Sequence, residues 1–310
     1  MKHFITLADL PNFEQTLDLA MDLKKNPTKS NGLGKDKTLG LLFFNPSLRT
    51  RLSTQKAAQN LGLPTMVMNF SQESWALEFE DGTKMSGLRS EHVKEAAAVV
   101  SQYCDMVAIR AFASLSDKEK DEAEIVLRSF AKYASIPIIN MESATAHPLQ
   151  ALADAITIEE FKPKYKPKVV LSWAPHPKAL PHAVGNSFTQ MMKYMDADFI
   201  IAHPEGYALN PIITEENALA VISENLMERP GIGNDKVLRN TLRFRRHHAE
   251  SKDNSARDGL STDEAQFSAA EHYRHNSGES YPSFSPRDYN GHKQIVHDGV
   301  IATPTLEVGV

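Results

Sequence analysis

Ser47, Arg49, Thr50 and Arg51 fall within five residues, directly behind the apolar run Thr38–Phe44 and the break Asn45-Pro46. Two guanidinium forks and two hydroxyls at the start of a helical segment form an anion site, best suited to phosphate. The same spacing also fits a capped helix with a surface salt-bridge pair. Three further polar clusters follow strand-like runs. Arg110 closes "CDMVAIR"; Glu142 and then His147-Pro148-Leu149-Gln150 stand in "NMESATAHPLQ"; His176, Lys178 and Asn186 stand in "SWAPHPKALPHAVGNS". Each has a plain reading: a snorkelling arginine, a cap-region histidine before a proline in a favoured first turn, and a loop stiffened by prolines. Four clusters at successive strand ends point to a ligand crevice, because open α/β sheets bind at the carboxyl ends of their strands.

The elements that must hold these clusters recur regularly. Continuous apolar runs occupy Thr38–Phe44, Thr65–Phe70, Asp105–Arg110, Ile136–Met141, Lys168–Trp173 and Asp198–His203. They do not alternate, as expected for strands covered on both faces. Helical segments are predicted over Thr50–Leu61, Glu91–Tyr103, Asp121–Tyr133, Leu149–Phe161, Ala183–Tyr194 and Thr214–Met227. Strand followed by helix, repeated, predicts an α/β fold of parallel sheets with right-handed crossovers. "KPKYKPK" after Phe161 marks a boundary, and 310 residues exceed the usual single core.

Composition narrows the class. A net charge of −5 gives no footprint for nucleic acid. No run approaches a membrane span, the N-terminus lacks a signal-peptide core, and Cys104 is the single cysteine, so a cytoplasmic protein without internal disulfides is expected. From about Pro230 the pattern changes. Apolar content drops to about a third, low for a packed domain, and six of the twelve histidines gather there. His272 and His275 have i,i+3 spacing but no third ligand, and no metal site is expected.

Taken in order, these motifs resemble the carbamoyltransferase (transcarbamylase) family. Ser47-Leu48-Arg49-Thr50-Arg51 is similar to its carbamoyl-phosphate loop, and Arg110 and His147-Pro148-Leu149-Gln150 to its other carbamoyl-phosphate elements. Trp75 in "ESWALEFEDG" and the "WAPHP" loop resemble the branch acting on N-acylated ornithine, the succinyl type ahead of the acetyl type. The resemblance is dense from about residue 35 to 210. It implies two doubly wound parallel-sheet domains of the aspartate/ornithine carbamoyltransferase type. Residues 1–147 would bind carbamoyl phosphate, 148–230 would form part of an acyl-ornithine domain, and 231–310 would be an irregular or disordered tail.

The resemblance also implies roles. Ser47, Leu48, Arg49, Thr50 and Arg51 would hold the phosphate, with Trp75 reaching into a neighbouring subunit's site of a homotrimer. Arg110, His147 and Gln150 would contact the carbamoyl group, with Arg110, His147 and Thr50 catalytic; Glu142, His176 and Lys178 would face the acyl-ornithine. Carbamoyl transfer to a δ-amine passes through a tetrahedral oxyanion, which guanidinium, hydroxyl and imidazole donors stabilise, and it needs no metal or other cofactor. Substrates would be carbamoyl phosphate and N-acylated ornithine, on the route to arginine.

Two features depart from the family pattern. The Lys-Asn-Trp and His-Cys-Leu-Pro elements of the second domain are absent, and Ser90 stands where succinyl enzymes tend to carry proline and acetyl enzymes glutamate. The abrupt change near residue 220 favours a shifted reading frame over a divergent tail. It keeps two alternatives open: a homologue that binds carbamoyl phosphate but turns over poorly, and an ordinary ornithine carbamoyltransferase, which Trp75 and "WAPHP" disfavour.

Overall fold

The computed structural model describes residues 2–70, 76–85, 89–162, 164–172, 182–203, 206–215, 220–223, 295–297 and 300–304. These form two units, Met1–Thr157 with Lys178–Tyr194, and Ile158–Pro177 with Met195–Val310. No helix among the described residues is long and apolar enough to cross a membrane.

In the first unit, β1 (Leu39–Phe43), β2 (Thr65–Asn69), β5 (Met106–Ala111) and β6 (Ile138–Ser143) make a parallel sheet in the order β2-β1-β5-β6. A two-stranded ribbon pairs β3 (Leu77–Glu78) with β4 (Glu91–His92). The helices are α1 (Phe13–Lys25), α2 (Leu48–Leu61), α3 (Val93–Tyr103), α4 (Lys118–Glu122), α5 (Ile125–Tyr133), α6 (Pro148–Phe161), which runs through the division between the units, and α7 (Ala183–Met192).

Every residue of β1 is buried, because the sheet is covered on both faces. Leu42, Val107, Ile109 and Ile138 pack with Val93 and Ala97 of α3 and Leu127 and Phe130 of α5. Leu39, Leu41, Phe43, Ala108 and Met141 pack on the other face with Ala58 of α2. Helix α2 stops at Gly62, whose φ of 76° is a left-handed cap that favours glycine.

The second unit holds β7 (Lys168–Ser172), β8 (Asp198–His203), α8 (Pro211–Glu215), β9 (Ala220–Ser223), β10 (Ile295–His297) and β11 (Val300–Pro304). Its sheet runs β10-β11-β7-β8-β9, parallel except for β10 at one edge.

The α/β architecture with parallel sheets matches the expectation, with several amendments. A helix over Thr214–Met227 is corrected: α8 ends at Glu215, and Ala220-Val-Ile-Ser223 joins β8 as a strand. Its β-branched pair is a strand signal that the surrounding glutamates obscured. The tail is not irregular throughout, since β10 and β11 join the second sheet. Helix α1, capped by Asn12 Oδ1 accepting from Gln15 N at 2.9 Å, is additional. The segment 121–133 is broken at Glu124, whose φ of 48° is left-handed.

Candidate active site

The crevice follows from strand order. β2 lies to one side of β1, while β5 and β6 lie to the other, so the sheet changes direction between β1 and β5. Such a switch point is where an open α/β sheet leaves room for a ligand. The register places Phe43 beside Arg110, and Arg110 beside Glu142, at the carboxyl ends of β1, β5 and β6.

At the end of β1 the chain turns into α2. Ser47 is the N-cap, its Oγ accepting from Thr50 N at 3.3 Å. The first-turn N–H groups of Leu48 and Arg49 have no carbonyl behind them, as in any helix N-terminus. Arg49 and Arg51 are exposed, and neither takes part in an ion pair among the described residues; Leu48 is 75% exposed. This is an open cationic rim over a helix N-terminus, chemistry suited to an oxyanion.

Arg110 is built differently. Its Nε donates to Glu142 Oε2 at 2.8 Å, its Nη2 forms an ion pair with the same oxygen at 2.8 Å, and its Nη1 donates to the carbonyls of Pro46 at 3.0 Å and Asn45 at 3.4 Å. The side chains of Arg110 and Glu142 are 6% and 14% exposed. Nε and Nη1 are thus engaged, and Nη2, in no hydrogen bond among the described residues, remains a donor for a ligand. Asn45 Oδ1 accepts from Phe112 N at 2.7 Å, so the loop after β1 is fastened to the end of β5 twice.

His147 precedes Pro148, the first residue of α6. The loop before it is fixed by Ser143 N donating to Ala146 O at 2.9 Å and by Asn140 Nδ2 donating to Ser143 Oγ at 3.0 Å. Thr145 donates through N and Oγ1 to Glu124 Oε1 at 2.8 and 2.7 Å, and Asn186 Nδ2 donates to Thr145 O at 3.1 Å. His147 N donates to Ser187 Oγ of α7 at 2.8 Å. The imidazole's Nδ1 is buried and finds no hydrogen-bond partner among the described residues. Burial lowers the pKa of His147; Glu142 opposes the shift and Arg110 adds to it. A ring held below its ordinary value is neutral at pH 7, carrying one N–H donor and one acceptor. Gln150, one turn into α6, donates from Nε2 to Asp154 Oδ1 at 3.0 Å.

The first unit thus carries Ser47 and the α2 residues Leu48, Arg49, Thr50 and Arg51 after β1, Arg110 and Glu142 near the ends of β5 and β6, and His147 and Gln150 at the start of α6. Glu142, expected to face a second substrate, is the partner of Arg110. Ser90 is exposed and lines a separate surface groove with Asp81, His92, Lys132 and Tyr133. Trp75, His176 and Lys178 lie outside the described residues, as do His272 and His275. Residue types alone did not disclose Asn45, Glu124, Asp154 or Ser187. Of these, only Asp154 had a local signal, its four-residue spacing from Gln150 on a predicted helix.

Residues 2–160 match the family described as aspartate/ornithine carbamoyltransferase, carbamoyl-P binding domain. The chain is 49% identical over 211 residues to the N-succinylornithine carbamoyltransferase of Bacteroides thetaiotaomicron, a match covering 68% of this chain and 66% of that protein. It is 38% identical over 237 residues to the N-acetylornithine carbamoyltransferase of Xanthomonas campestris pv. campestris, covering 74% and 68%. The match to the Bacteroides protein therefore spans just under two thirds of that protein's length. Among solved structures, an acetylornithine transcarbamylase complexed with acetylcitrulline aligns with a TM-score of 0.64 at 36% identity, covering 72% and 70% of the chains. A glutamate-to-serine variant of N-acetyl-L-ornithine transcarbamylase, complexed with carbamyl phosphate and N-succinyl-L-norvaline, aligns at 0.65 and 36%, with the same coverage.

Proposed function

The chain belongs to the aspartate/ornithine carbamoyltransferase family, and from that premise we propose that it transfers the carbamoyl group of carbamoyl phosphate to the δ-amine of an N-acylated ornithine. The products are an N-acylcitrulline and phosphate, on the route to arginine. N-succinyl-L-ornithine is the favoured acceptor and N-acetyl-L-ornithine the next. The ranking is supported by the higher identity to the succinylornithine enzyme.

The observation that carries this reading is the in-register row Phe43, Arg110 and Glu142 at the switch point, with Ser47–Arg51 opening α2 immediately beyond Phe43. Arg49, Arg51, the Ser47 and Thr50 hydroxyls and the first N–H groups of α2 receive the phosphoryl oxygens. Two charge-assisted contacts then support the leaving phosphate as its charge rises. The Nη2 group of Arg110, the Thr50 hydroxyl and the neutral His147 ring donate to the carbamoyl oxygen as it becomes an oxyanion. Gln150 takes the carbamoyl amide. The δ-amine attacks as the neutral base, the C–N bond forms, and the C–O bond to phosphate breaks; the proton lost from nitrogen leaves with phosphate. Holding the two substrates in line supplies much of the rate, and no covalent intermediate with the protein is required. Trp75 would complete the site of a neighbouring subunit in a homotrimer, and His176 and Lys178 would bind the acyl-ornithine.

Titration calorimetry with carbamoyl phosphate, followed by a citrulline-product assay with succinyl- and acetylornithine, tests the proposal. Arg49→Ala should weaken carbamoyl-phosphate binding by about a hundredfold, the value of a charged hydrogen-bond pair; unchanged affinity would remove the assignment. A second reading, a protein that binds carbamoyl phosphate but turns over poorly, is favoured by the absence of a His-Cys-Leu-Pro element. Binding without turnover would select it. Translating the other two frames of the gene downstream of codon 220 tests a frame shift, and the absence of that element from both would exclude it.

A further inference from the structure

Helix α6 places a carboxylate one turn beyond Gln150. Asp154 is 8% exposed and accepts from Gln150 Nε2 at 3.0 Å. Four-residue spacing stacks the two side chains along one helix face. Among the described residues no Lys, Arg or His forms an ion pair with this carboxylate; Gln150 is its hydrogen-bond partner. Burial pushes its carboxyl up to about 7, against the downward pull of that hydrogen bond. A buried, uncompensated carboxylate costs stability, and an apolar or amide side chain would pack there more cheaply. Packing therefore does not account for it, and its relation to Gln150 does.

A side-chain amide has two chemically opposite ends of nearly identical shape. An ionised carboxylate only accepts, so it binds the Nε2 end of Gln150 and leaves the Oε1 end for a ligand. We propose that Asp154 is a positioning residue: it fixes the Gln150 amide with Oε1 offered to the NH2 group of carbamoyl phosphate, and so makes the site select a carbamoyl group over an acyl group of the same shape. The inference rests on the carbamoyl-phosphate reading above. Carbamoyl and acetyl phosphate are alike in size and charge but differ in chemistry at one position, NH2 against CH3. An Oε1 acceptor gains a hydrogen bond from the first and meets an apolar group in the second. If Gln150 were turned round, its NH2 would face the ligand's NH2, donor against donor, and the preference would vanish.

The test is calorimetric titration of the full chain at pH 8 with carbamoyl phosphate, acetyl phosphate and inorganic phosphate. The wild type should bind carbamoyl phosphate about tenfold more tightly than acetyl phosphate, the value of one net hydrogen bond. Asp154→Leu should bring the two affinities together while changing those for acetyl and inorganic phosphate by less than about twofold, since the phosphate contacts lie elsewhere. Asp154→Asn should keep about threefold preference, because its Oδ1 can still accept from Gln150 though its amide can also face the other way. A ratio of affinities in one pocket is not moved by general loosening, which weakens both ligands alike. An undiminished preference in Asp154→Leu overturns the proposal. If that variant does not fold, an undiminished preference in Asp154→Asn overturns it instead. A wild type that binds none of the three ligands overturns the carbamoyl-phosphate reading itself, an outcome distinct from either.

Discussion

The loop after β1 and the row formed by Arg110, Glu142 and His147 belong to one crevice but are constructed in opposite ways. In the first, two arginines stand exposed in the first turn of α2, whose N-cap bond runs from Thr50 N to Ser47 Oγ. In the second, Arg110 spends most of its donors on Glu142 and two carbonyls, and His147 is held through its backbone by Ser187. The difference follows from what each must do under the proposed reaction. A phosphate arrives hydrated and leaves with more charge, so its receptors gain from remaining in water until it binds. The carbamoyl carbon must instead meet donors already in place, since reorienting them during reaction would cost part of the barrier reduction. Substitutions in the buried row should therefore register in stability, and those in the open loop in binding.

Glu142→Ala should have the largest effect on folding. It strands the Arg110 guanidinium, 6% exposed, with its Nε hydrogen unpaired and its charge without the Glu142 ion pair. Removing one partner of a buried pair costs about 3–5 kcal/mol, so a fall of many degrees in the melting temperature is expected. A shift comparable to that of a surface variant would show that water reaches Arg110 and that the contrast between the two regions is false.

Asp154→Asn follows, with the opposite sign. Unfolded, this carboxyl titrates near 3.8; folded, burial raises it to about 7. Between those values the native state holds a proton that the unfolded chain has lost, so this group's contribution makes stability fall as pH rises, levelling off above about 7. His147 acts the other way, its lowered value removing stability as pH drops below the ordinary histidine range. Comparing variant with wild type cancels the histidine. The advantage of Asp154→Asn should grow from pH 4 to 7, reaching at most on the order of 4 kcal/mol. Melting curves at several pH values measure it, and a pH-independent difference would refute the raised carboxyl. A gain in stability together with a loss of ligand preference would mark a residue retained for its effect on Gln150.

The two regions were unequally legible in the sequence. The strands of both sheets up to Asp198–His203 are continuous apolar runs, most clearly where burial is on both faces, as in β1, while edge strand β2 is only half-buried. Ser47–Arg51 was visible because a cap and an anion loop are local, needing only neighbouring residues. The restraints on the buried row were not. Asn45 meets Phe112 across 67 positions and His147 meets Ser187 across 40, and no local spacing encodes such contacts. The pairing of Glu142 with Arg110 on the adjacent strand is likewise invisible to one residue's type, whatever part Glu142 takes toward the acyl-ornithine. The strand Ala220–Ser223 lies inside a span that reads as helix, since four residues are too short for periodicity to decide.

Ser47→Ala measures how little the open loop depends on its own restraint. The hydroxyl satisfies one N–H at the start of a fourteen-residue helix, α2, and an N-cap of this type is worth about 1 kcal/mol. Arg49→Ala should change stability by less than about 0.5 kcal/mol, as exposed substitutions without partners do. Chemical denaturation of both variants, beside Glu142→Ala, places all three on one scale. If Arg49→Ala destabilised the fold as much as Ser47→Ala, its guanidinium would be doing structural work, and its weakened carbamoyl-phosphate binding could not be attributed to a lost phosphate contact. An unchanged midpoint with an unchanged slope excludes that, leaving the guanidinium with no task in the free protein and its whole effect in the bound one.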